Sequence, residues 1–166
     1  EQLTFVQVLN MAVCDQLTIR LHPEYALHDR SELDRWREVD PTLKIDRGTQ
    51  AIQNLIRKSR LVVHSYDSTG LLETLSQNIP TMAFWQDGLS HVREGAKPYY
   101  QCLIDAGIIY TSPTSIAEKV NSVWPDVDNW WGSDEVQAAR KYFCDRYARV
   151  SNQPISDLKQ ILVKNL

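Results

Sequence analysis

The chain has 166 residues, 43% of them hydrophobic and 23% charged, which supports one ordinary hydrophobic core and argues against a disordered or membrane-spanning polypeptide. A formal net charge of −3 with no dense Lys/Arg block argues against a general nucleic-acid binder, which needs many phosphate contacts. Cys14, Cys102 and Cys144 are odd in number and widely spaced, the pattern of reduced thiols rather than of a disulfide framework or a zinc site.

Glu1 opens the chain inside an amphipathic pattern without an initiator Met, so a fragment of a larger protein is expected. Phe5, Val6, Leu9 and Val13 predict a helix over residues 2 to 14, and Leu17 to Leu21 reads as a strand leaving into His22-Pro23-Glu24-Tyr25. A short charged helix is predicted over Glu32 to Glu38 and ended by Pro41. Leu43 to Asp46 gives a second strand, and Thr49 to Lys58 a helix.

Leu61 to Trp85 is the most informative stretch. Leu61 to His64 is short and almost wholly apolar, as a central parallel strand is. It ends in Ser65, Tyr66, Asp67, Ser68, Thr69 and Gly70, followed by Leu71, Leu72 and Leu75 at helical spacing. Unpaired N–H groups and the positive dipole end of such a helix attract anions, with Ser68 and Thr69 adding hydroxyl donors and Gly70 opening the backbone. Glu73, about one turn in, reads either as a capping carboxylate or as an acceptor for paired sugar hydroxyls. Asn78-Ile79-Pro80 ends the helix and Thr81 to Trp85 forms the next strand. Beyond the Asp87-Gly88 loop, a helix near Ala96 to Ala106 and a last strand, Ile108 to Tyr110, are predicted. Helices over Thr114 to Val123, Ser133 to Arg149 and Ile155 to Asn165 follow.

Five strands separated by helices predict a Rossmann-like α/β fold. It is an open, mostly parallel sheet of about five strands with helices on both faces and C-terminal helices, one domain over residues 1 to 166. Ligands of such sheets bind at the carboxyl ends of the strands. That rule gathers His22-Pro23-Glu24, Asp46-Arg47-Gly48, Ser65 to Gly70 and Trp85 to Ser90 on one rim. Arg20 shares a strand face with His22, whose imidazole reads as a phosphate or base donor or as a plain hydrogen-bonding surface group. His64 reads as satisfying a backbone group, and His28 carries little weight. His91 and Arg93 are candidates for donor-sugar or anion contact.

These residues resemble the C-terminal, donor-nucleotide-binding half of a two-Rossmann-domain (GT-B) bacterial glycosyltransferase, in particular transferases of lipopolysaccharide and O-antigen loci. The resemblance runs through Arg20-Leu21-His22-Pro23, Ser65 to Gly70 with Leu72 to Leu75, Asn78-Ile79-Pro80 and Phe84-Trp85. It continues in Arg93 to Ala96, Pro98-Tyr99-Tyr100 and Trp130-Trp131, a pair that reads best as core. His22-Pro23 and Ser68-Thr69 are similar to the His-Pro and Ser-Ser or Ser-Thr motifs of CMP-sugar-using sialyl- and Kdo transferases. By the same likeness Glu73 is the ribose ligand. The resemblance implies nucleotide and phosphate binding by Arg20, His22, Pro23, Ser65, Ser68, Thr69, Gly70 and Glu73. The donor it implies is a nucleotide-sugar, CMP-sugar favoured over UDP- or GDP-sugars because the Glu-rich Gly-Phe-Gly loop is missing.

The resemblance further implies transfer to a surface-polysaccharide acceptor without cofactor or metal. An N-terminal acceptor-binding domain would supply the base, so the chain alone would bind without turning over. The setting implied is cytoplasmic, at the inner face of the cytoplasmic membrane through peripheral association of the full-length protein, with neither nucleic acid nor a transmembrane segment involved. A CDP-polyol phosphotransferase of the teichoic-acid type and a non-catalytic scaffold module remain the alternatives.

Overall fold

Amphipathic spacing at the start of the chain forms α1 (Gln2–Val8), but Asn10 then adopts an extended backbone and its side chain accepts the Val13 N–H at 3.0 Å. That cap restarts the chain as α2 (Met11–Cys14), so the single helix expected over residues 2 to 14 is two. The computed structural model describes residues 1–22 and 32–164; Pro23, Glu24, Tyr25 and His28 lie outside the described residues. Next come β1 (Thr18–Arg20), α3 (Glu32–Val39), β2 (Lys44–Asp46), α4 (Ile52–Ile56), β3 (Val62–His64), α5 (Thr69–Ser76) and β4 (Thr81–Phe84). A 3₁₀ turn, Glu94–Ala96, leads into α6 (Lys97–Asp105), then β5 (Ile109–Tyr110) and α7 (Pro113–Val123). A second 3₁₀ turn, Trp124–Asp126, precedes α8 (Val127–Trp131), α9 (Asp134–Tyr147) and α10 (Pro154–Lys164).

The fold is α/β with parallel strands, but the single sheet of about five strands is replaced by two. One is β1–β2, with Ile19 opposite Ile45; the other is β3–β4–β5, with Val63 opposite Met82 and Ala83 opposite Ile109. Among the described residues no ladder joins β1 to β3. Strands of two to four residues form few ladder bonds each, and side chains fasten α1 to the larger sheet and to α7. Phe5 stacks on Phe84 at 5.3 Å, Gln2 Nε2 donates to Ser65 Oγ at 2.8 Å, and Asn121 Nδ2 donates to the Val8 carbonyl at 3.0 Å.

All four residues of β4 are buried, so both faces of the larger sheet are covered. The helices α5 and α6 pack on it with α9 against them, and α7 packs on it together with α1. The core between them is Leu71, Leu75, Met82, Phe84, Leu103, Ile108, Ile109, Ile116, Val120 and Phe143. Trp130 and Trp131 are buried in α8 as core residues, and Cys14, Cys102 and Cys144 are free thiols. Among the described residues no helix is long and apolar enough to cross a membrane.

Candidate functional site

The turn after β3 starts α5 at Ser68, whose backbone is extended (φ −143°, ψ 163°) as a cap requires, yet whose hydroxyl makes no capping hydrogen bond. No acidic residue stands in the first turn of α5. Among the described residues no side chain accepts from the N–H groups there, and the dipole end is not offset by a carboxylate of the same turn. Thr69 and Glu73 are exposed, and Glu73 lies beyond the first turn of α5, too far along to be the capping carboxylate.

Gly70 has a structural role here. A Cβ at this position would lie 3.1 Å from His64 Cε1, so the glycine admits the imidazole at the end of β3. His64 Nε2 lies 3.2 Å from Thr74 Oγ1, and that hydroxyl also lies 3.1 Å from each of the Gly70 and Leu71 carbonyls, to which it donates. With the hydroxyl donating to the helix, Nε2 carries the proton toward Thr74. Burial depresses the His64 pKa to about 4, so the ring is neutral at physiological pH.

Asp67 is the hub of the site. Its Oδ2 lies 3.2 Å from His91 Nε2 and accepts from the Tyr100 hydroxyl at 3.2 Å. Burial, and then the Asp67 charge, push the Tyr100 pKa up to about 12, which keeps that hydroxyl protonated as a donor. The Asp67–His91 contact ties the loop after β3 to the loop after β4. Trp85 braces it from below: its ring meets His91 edge-on at 5.9 Å, and its Nε1 donates to the Gly88 carbonyl at 2.7 Å.

Around this hub lies a cleft of about 540 Å³, lined by Asp67, His91, Arg93, Tyr100, Arg146 and Tyr147 with Val92, Gly95 and Ala96. Arg146 and Tyr147 come from the last turn of α9. That turn is held by an aromatic seam in which Tyr147 meets Tyr99 at 5.3 Å and Phe143 meets Tyr100 at 5.1 Å. A shallower depression of about 710 Å³ runs past Gly88, Glu94, Lys97, Gln101 and Thr111, but its two charges, Glu94 and Lys97, are paired with each other.

The structure thus brings His91 and Arg93 together with Asp67. Ser68 follows Asp67 directly, but Ser68, Thr69, Gly70 and Glu73 do not line the cleft. Ser65 accepts from Gln2 at the base of the turn. Arg20 is bound to the buried Asp46 across β1 and β2, so its guanidinium holds the small sheet together. His22 is exposed at the end of β1, and Pro23 lies outside the described residues.

The sequence reading left Asp67, Tyr100, Arg146 and Tyr147 out of the site. Asp67 sat within the turn it singled out, and Tyr100 within a segment it quoted. Arg146 has no local signal, because only the docking of α9 on α6 brings it to the cleft.

The family described as LIC12162 family transferase matches residues 1–162. No curated protein and no solved structure matches the chain.

Proposed function

The chain belongs to the LIC12162 family of transferases, and from that premise we propose that it is the donor-nucleotide-binding domain of a glycosyltransferase. It takes a nucleotide-sugar, a CMP-sugar by preference, and serves transfer to a surface-polysaccharide acceptor. In this reading β2–β1 and β3–β4–β5 are the two parts of one doubly wound order, 2-1-3-4-5, and residues 1–166 are one half of a GT-B fold. A second, N-terminal domain supplies the acceptor site and the base, at the inner face of the cytoplasmic membrane.

The observation that supports this best is the meeting of the β3 and β4 loops at Asp67 and His91, beside a helix start that no side chain caps. Open α/β sheets hold nucleotides at such a rim. There the N–H groups of α5 and the hydroxyls of Ser68 and Thr69 reach a phosphate, Glu73 takes the ribose hydroxyls, and His22 reaches the nucleotide from the end of β1. The same donors oppose the negative charge that grows on the departing phosphate, which is electrostatic stabilisation of the transition state.

Calorimetric titration with CMP, CDP, UDP and GDP tests the reading. CMP is expected to bind below millimolar concentration and more tightly than UDP or GDP. Ser68→Ala, Glu73→Ala and His22→Ala are each expected to weaken it by roughly three- to tenfold, the worth of one hydrogen bond at a binding site. If no nucleotide binds at millimolar concentration, or all three variants bind like the parent, this function is wrong.

A further inference from the structure

We propose that the cleft between the β4 loop and the end of α9 is a phosphate subsite, with Arg93 and Arg146 as its two clamps. The proposal deepens the nucleotide reading and rests on it for the carrier of that phosphate: a CMP donor has one phosphate, placed where the cleft meets the turn at Asp67, beside the start of α5. The cleft's own chemistry fixes the anion.

Among the described residues Asp67 is the single carboxylate lining the cleft, and it is already bonded to the Tyr100 hydroxyl and in contact with His91. Glu94, next to Arg93, is held by Lys97. Among the described residues neither the Arg93 nor the Arg146 guanidinium is engaged by a carboxylate, whereas Arg20 binds Asp46 and Arg140 donates to the Leu75 carbonyl. Two guanidinium groups facing one cleft leave a positive field there, strengthened by the 3₁₀ turn and the N-terminus of α6, which line it through Gly95 and Ala96. Nothing lies within 4 Å of where a Gly95 Cβ would be, so that backbone is open to a ligand.

A phosphate matches this set better than a carboxylate does. It offers three or more oxygens to two planar forks approaching from different elements, and each fork binds two oxygens at once. His91 is turned by Asp67 and Trp85 toward the same space, and Tyr147 closes the side nearest α9. Arg146 is therefore the contribution of the C-terminal helices to donor binding.

Inorganic pyrophosphate is the probe, titrated calorimetrically at constant ionic strength into the parent, Arg93→Ala, Arg146→Ala, Arg146→Lys and Arg149→Ala proteins. Arg146 and Arg149 are both exposed, so these variants are expected to fold, which circular dichroism checks. Pyrophosphate is expected to bind the parent and to lose about tenfold or more in affinity in Arg93→Ala and Arg146→Ala, the worth of a charge-assisted pair. Lys at position 146 restores part of the loss, and Arg149→Ala changes nothing. CMP loses affinity in Arg146→Ala by the same factor, while cytidine, which has no phosphate, does not.

The subsite is refuted if pyrophosphate fails to bind, or if Arg146→Ala and Arg149→Ala weaken it equally, as a diffuse charge effect would. Nucleotide binding that ignores Arg146 also refutes it and leaves the nucleotide reading standing. Pyrophosphate binding through Arg146 with no nucleotide bound has the opposite meaning: the subsite stands and the nucleotide reading falls.

Discussion

His64 shows how one mostly buried side chain makes the protein sensitive to acid. Its pKa is depressed from 6.5 to about 4 because burial disfavours the imidazolium, so between these values the unfolded chain takes up a proton that the folded chain refuses. Stability from this group is complete above pH 6.5 and is lost as pH falls toward 4, by an amount on the order of 3 kcal/mol. Urea denaturation of the parent across this range is expected to show the decline, and His64→Gln to flatten it. An equal slope in both proteins would assign the acid sensitivity to other groups. Gly107 carries a second residue-scale prediction. With φ at +68° and the place of a Cβ only 2.9 Å from the Tyr110 hydroxyl, Gly107→Ala is expected to cost about 1–3 kcal/mol, read as a lower denaturation midpoint with an unchanged slope.

At the scale of elements, α5 is fastened at its far end. Its C-terminus closes in a Schellman turn: the Ile79 N–H reaches the Thr74 carbonyl at 3.0 Å, the Asn78 N–H reaches Leu75 at 3.1 Å, and Asn78 sits at φ 57°. Trp131 Nε1 donates to the Asn78 carbonyl and side-chain oxygen, and Arg140 donates to the Leu75 carbonyl, which ties this turn to α8 and α9. Asn78→Gly keeps the left-handed backbone and one acceptor for Trp131, so a change below about 1 kcal/mol is expected. Asn78→Val loses both the conformation and the side-chain acceptor and is expected to cost about 2–3 kcal/mol in thermal or urea unfolding.

This helix was legible in the sequence because its signals are local. Asn78-Ile79-Pro80 marked its end, and Leu71 and Leu75 marked its buried face. The break at Asn10 was not, since Val13 continued the apolar spacing of Phe5 and Leu9 while the asparagine cap competed with it. Arg20 shows the other failure: one strand reveals which side a guanidinium takes, and only the pairing with β2 reveals that Asp46 already holds it.

Over the whole molecule, the parallel strands and the helices between them could be read from alternating periodicity, but their grouping into sheets could not. Grouping depends on which strand edges meet, and edges leave no trace in the hydrophobic pattern. The cleft depends in the same way on distant partners. Asp67 meets His91 and Tyr100 across sequence separations of 24 and 33 residues, and Arg146 arrives from further still. Ordered in time, this has a consequence for assembly. When a chain folds from its N-terminus during synthesis, β3, α5 and β4 can pack before α9 exists, so the cleft closes last. A protein caught at that stage would hold most of its core and none of the Arg146 clamp, and a ligand bound in the finished cleft would act as a late lock on the helix that completed it.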